Sequence, residues 1–161
     1  LGVVSLILMI LVNKKNRELL NINVKELVLI NEMSMTIGLV MLTIGNFLGG
    51  MWANESWGRY WGWDPKETWA LISIMVYAFV IHMRLIPGLK SNFAFTVASI
   101  LSFGSIIMTY FGVNFYLAGL HSYAKDDQEI SLVFISITLV IILILSLLAY
   151  PKYKKYLKNN R

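Results

Sequence analysis

Cysteine is absent from the 161 residues. The chain therefore has no disulfide, thiolate ligand or redox thiol of its own, and any thiol chemistry must arrive on a partner. Charge is scarce as well, at 14% Asp, Glu, Lys and Arg against 57% hydrophobic residues, and histidine is limited to two copies. So little charge does not suit a water-soluble domain of this size. There is no internal repeat, glycine-rich phosphate loop, HExxH pair or carboxylate cluster inside an apolar run. Hydrolysis, nucleotide binding and nucleic-acid recognition thus have no support in the sequence. An initiating Met and a targeting segment are missing, and residues 1–12 form an apolar run too short to span a membrane, without flank or cap. We read that run as the cut end of a helix, and expect the chain to be a C-terminal portion of something longer.

What is present is a series of apolar runs near the roughly 20 residues that cross a bilayer as a helix. The expected fold is all-α, a polytopic membrane helical bundle forming a single domain. Its spans are expected near 1–12 (partial), 27–49, 68–86, 93–117 and 130–150, four of them complete, with Pro151 ending the last. The formal charge of +5 follows topology. Eleven of fourteen basic residues fall in three segments (Lys14 to Lys25, Arg84 with Lys90, Lys152 to Arg161), alternating with two that hold only Arg59 and Lys66, or Lys125. By the positive-inside rule the first three face the cytoplasm, so residues 50–67 and 118–129 are external loops and the C-terminus is inside. Glu32, about 26 Å of helix below Gly49, belongs near the inner interface and reads as structural. Ala94, Ala98 and Ser102 make a small-residue seam for close helix packing.

All five tryptophans lie within residues 52–69, in WANESWGRYWGWDPKETW. An aromatic belt needs one or two per helix end, so five in one loop ask for more. Indole is a flat π-surface fit to lie against a flat apolar ligand, and Gly58 and Gly62, lacking Cβ, allow close backbone approach. Asp64-Pro65-Lys66-Glu67 first reads as a helix start, with Asp64 as N-cap, Pro65 at N1 and Glu67 closing a capping box. His82 falls about 21 Å of helix below Thr68. A lone membrane histidine often only hydrogen-bonds a neighbour, and a loop histidine such as His121 often does nothing in particular. Arg84 is placed to snorkel to headgroups or to meet an anionic ligand.

WGRYWGWDPKETWAL, together with YAFVIHMR from Tyr77 and GLHSYA from Gly119, resembles the tryptophan-rich "WWD" haem-handling proteins of cytochrome c biogenesis, and within them the CcsA (ResC-like) branch. The resemblance covers residues 52–124. It implies a cytochrome c synthase (haem lyase) component of system II type, working with a CcsB/ResB-like membrane protein, separate or fused. Haem, b-type and a substrate in transit, would pass from the cytoplasmic side of a bacterial inner membrane to an external site. There the thiols of a CxxCH apocytochrome c, kept reduced by a thioredoxin-like protein, would add to its vinyl groups. The residues implied are Trp52, Trp57, Gly58, Trp61, Gly62, Trp63 and Asp64 around the macrocycle, with His82 and His121 as ligands of haem iron. The two imidazoles are too far apart to share one metal, so two stations follow. The family brackets its external site with a histidine before the tryptophans as well, and none precedes Trp52 here. A second reading is a cytochrome b-like electron-transfer subunit with permanent haem.

Overall fold

The computed structural model describes residues 1–11, 24–117 and 132–158. Over these the chain is an all-α membrane bundle: α1 (Gly2–Leu11), α2 (Val24–Trp57), α3 (Pro65–His82), α4 (Asn92–Ile107), α5 (Val113–Tyr116) and α6 (Leu132–Lys158). A 3₁₀ turn, Met83–Leu85, follows α3, and a π turn, Met108–Gly112, joins α4 to α5. Among the described residues, four segments are long and apolar enough to cross a membrane: Val24–Trp57, Pro65–Leu85, Asn92–Tyr116 and Ile135–Lys154.

Several hydroxyls inside these helices bond a carbonyl of their own helix, which suits a lipid medium. Ser34 donates to Ile30 O at 2.8 Å, Thr36 to Glu32 O at 2.9 Å and Thr43 to Leu39 O at 2.8 Å. Between helices, buried Asn31 of α2 donates to Ser99 Oγ of α4 at 2.8 Å.

Two expected boundaries are corrected. The tryptophan segment is not a loop from residue 50: α2 continues to Trp57, and only residues 58–64 leave helical geometry. No proline interrupts that stretch, and Trp52 stacks edge-on against Trp57 at 5.1 Å, one and a half turns on. Gly58 ends the helix with φ 68, its N–H still bonded to Asn54 O at 2.9 Å, a left-handed position that costs glycine nothing. Nor does Pro151 end the last helix, since α6 runs through it to Lys158. Packing holds the final turns: Tyr153 stacks on Phe93 at 6.1 Å, and Lys152 Nζ donates to Ile10 O at 3.0 Å. The carbonyl that proline leaves without a donor needs only one outside partner.

The core lies in the half of the bundle that carries His82. Leu6 and Met9 of α1 meet Val24 and Val28 of α2, Val80 and Met83 beside them, Phe95 of α4, and Ala149 and Tyr153 of α6. At the tryptophan end a cleft lies between α2, α3 and the π turn, with Gly45, Gly49, Trp61 and Thr109 in its lining.

Candidate functional site

The short turn between α2 and α3 is built by one acid. Glu67 Oε2 accepts the N–H of Gly62 at 2.8 Å and of Asp64 at 3.2 Å, while Asp64 Oδ2 accepts Lys66 N–H at 3.2 Å. The capping box expected from the sequence is therefore present, and Asp64 is buried at 7% exposure. Arg59 sits 4.0 Å from Glu67 Oε1 and 6.0 Å from the Trp57 ring. Its guanidinium occupies the space where a Cβ on Gly62 would lie. Tyr60 bonds Phe47 O at 3.2 Å and covers Gly50, where a Cβ would come within 2.8 Å of the tyrosine ring.

This frame leaves the indoles on show. Trp52 and Trp63 are exposed, Trp57 and Trp61 half-buried, and Trp61 and Trp63 meet edge to face at 5.8 Å. Trp63 is 71% exposed and has φ 58, the only non-glycine residue with positive φ among those described. A bulky side chain in that region is strained and persists only where the surroundings impose it. Here Asp64, fixed as the cap, and Gly62, fixed by Glu67, hold both neighbours.

At the other end of α3, the His82 ring is exposed with Nδ1 2.7 Å from Ala78 O. A carbonyl can only accept, so Nδ1 is the donor in this contact and Nε2 takes no part in it. Orienting one ring nitrogen on a carbonyl to free the other is how proteins present imidazole to a metal. Among the described residues no three His, Asp or Glu side chains converge on a metal position. Arg84 Nε lies 3.0 Å from Glu32 Oε2, and its guanidinium is 4.6 Å from the Phe95 ring centroid. His121 lies outside the described residues.

The tryptophan turn has further polar neighbours on α3, the π turn and α5. Lys66 Nζ donates to Asn114 Oδ1 at 3.1 Å. Thr109, in the π turn, and Ser73 have hydroxyls 2.9 Å apart, each within reach of Trp69 O, at 3.0 and 2.9 Å. π turns gather at functional sites. The available signals were Asn46 and Asn114, amides inside apolar runs, and Gly45 with Gly49 at helical spacing.

Residues 1–121 match the family model described as cytochrome C assembly protein. The chain belongs to that family. It is 53% identical over 137 residues to protein NrfI of Wolinella succinogenes, covering 85% of this chain and 15% of that protein. It is similar to the cytochrome c biogenesis protein CcsA of Cyanophora paradoxa (51% over 88 residues, 55% of this chain and 27% of that one). With CcsA of Cuscuta reflexa the figures are 48% over 102 residues, 63% and 33%. The chain thus spans a third or less of these cytochrome c biogenesis relatives. The match to the cytochrome c assembly family takes in α1 to α5, and with them the tryptophan turn and His82.

Proposed function

We propose that this chain is the haem-handling part of a cytochrome c synthase, a haem lyase component. Haem is its substrate in transit, held first through His82 and then at the tryptophan turn, where Trp52, Trp57, Trp61 and Trp63 offer their faces and His121 a second imidazole. The carrying observation is the layout of α3: an exposed imidazole with one nitrogen tied down at its last residue, and a braced cluster of half-open indoles before its first. Eighteen residues of helix hold the two about 27 Å apart, so they serve two haem positions in sequence.

The family names of the relatives support cytochrome c biogenesis as the process. Chemically, each S–H of a CxxCH substrate adds across one vinyl C=C, sulfur to one carbon and hydrogen to the other. The protein's share is to hold the ring, bind iron and leave the vinyl edge open. A chain without cysteine leaves the thiols to the apocytochrome and their reduction to a thioredoxin-like partner. A CcsB/ResB-like membrane protein would complete the assembly in a bacterial inner membrane, with the tryptophan turn external. Gly58 and Gly62 then serve the turn itself, and Asp64 acts through it.

The test is purification with a co-expressed CxxCH apocytochrome, scoring bound haem and thioether product separately. His82→Ala should lose haem, with partial recovery in added imidazole, because a ligand in solution can replace an axial bond. A Trp57→Ala, Trp61→Ala double variant should keep haem and lose product. Normal product from the double variant would defeat the proposal. Retained haem with no thioether in the unmodified protein would favour an electron-transfer subunit.

A further inference from the structure

Resting on the haem reading above, we infer that Arg59 binds a propionate of the macrocycle at the tryptophan turn, and so fixes which edge of the ring faces the substrate thiols.

Placement is the first ground. The positive-inside rule leaves few cations on an external segment, and residues 50–67 hold only Arg59 and Lys66. Arg59 follows Trp57 by two positions and stays beside it in space, with the guanidinium 6.0 Å from the centroid of that ring. It fills the volume that a Cβ on Gly62, the residue between Trp61 and Trp63, would need. Unlike Gly58, Gly62 has no left-handed φ to demand glycine. What its missing side chain makes room for is the guanidinium. The turn thus gives up a side chain between two tryptophans to seat a cation beside a third.

Unused bonding capacity is the second. Glu67 Oε1, 4.0 Å from Arg59 Nη1, lies beyond hydrogen-bond length, and Glu67 Oε2 already accepts the N–H groups of Gly62 and Asp64. The acid draws the guanidinium in without bonding it, so among the described residues the N–H fork of Arg59 has no acceptor. The side chain is 33% exposed and can be reached. A planar guanidinium fork matches a carboxylate bidentately. A macrocycle resting on Trp57 extends well past one indole, which brings its rim to the guanidinium. Haem bears its propionates on one half of that rim and its vinyl groups on the other. Holding a propionate at Arg59 therefore turns the vinyl edge away from the turn, toward an arriving CxxCH segment.

The experiment is a haemin titration of the purified membrane protein in a His82→Ala background, which leaves the tryptophan turn to be read, repeated with haemin dimethyl ester as a probe without carboxylates. This parent should bind haemin about tenfold more tightly than the ester, the scale of one charge-assisted contact. Arg59→Gln should erase the difference by weakening haemin alone, and Arg59→Lys should keep part of it, as a point charge without the fork. Gly62→Ala, whose methyl displaces the guanidinium, should act like Arg59→Gln and add nothing to it in the double variant. Equal weakening of haemin and ester by Arg59→Gln would mean that the residue only braces the turn, and overturns the assignment. Unchanged haemin binding with weaker binding of a CxxCH apocytochrome would give Arg59 to a carboxylate of the protein substrate, and overturns it too. If the parent takes up neither probe, the haem reading of the turn falls and the assignment with it. If the parent binds both and Arg59→Gln alters neither, the assignment falls alone.

Discussion

At the scale of single residues, Trp63 carries a conflict that natural sequences reserve for working positions. Its backbone is left-handed and its indole mostly exposed, so the strain of about 1–2 kcal/mol is not offset by burial. We predict that Trp63→Gly raises the unfolding midpoint by the equivalent of about 1 kcal/mol while lowering thioether yield, a trade of activity for stability. Thermal unfolding in detergent and product assay on the same preparation check this. A variant with unchanged stability would show that the turn stores no strain. Asp64 and Glu67 were legible as a capping box because N-cap chemistry is local. The conformation of Trp63 was not, because it follows from Glu67 reaching back to two backbone N–H groups at once.

Between elements, the Glu32–Arg84 contact joins α2 to the 3₁₀ turn that follows α3. From sequence Glu32 had only the inner interface and Arg84 the headgroups or an anionic ligand; the fold pairs the two with each other, with Phe95 of α4 beside the guanidinium. Both side chains are partly exposed, at 25% and 29%, so the pair is worth about 1 kcal/mol and not the several of a dry ion pair. Glu32→Gln and Arg84→Gln should each destabilise by about that much, and the double variant by less than their sum. Additive losses would mean that the ion pair contributes nothing. The π turn is another feature of this scale: the extra residue it accommodates rotates α5 relative to α4, and Asn114 comes to lie over Lys66.

For the molecule as a whole, the prediction is orientation. Because the chain has no native cysteine, Ser56→Cys and Lys154→Cys can be labelled one at a time. Membrane-impermeant maleimide on intact cells should reach position 56 and not position 154, as the distribution of basic residues requires. Labelling of position 154 instead would invert the topology and place the tryptophan turn inside. The molecule is also uneven along its length. Leu6 and Met9 of α1 join the packed core of the His82 half, and the cleft lies at the tryptophan end.

The sequence by itself determined that helices cross a membrane, roughly where they do, and which stretches resemble a haem-handling family. These are properties of composition, hydrophobic run length and motif, all encoded within twenty or so neighbouring residues. It misjudged the ends of α2 and α6, because tryptophan stacking and the contacts of Tyr153 and Lys152 carry helix past its local stop signals. Only the tertiary structure decided that Arg84 is bound to Glu32 and that Gly45, Gly49, Trp61 and Lys66 line one cleft. Ion pairs and cavities join residues tens of positions apart, and their partners are set by how helices pack, which no local pattern records.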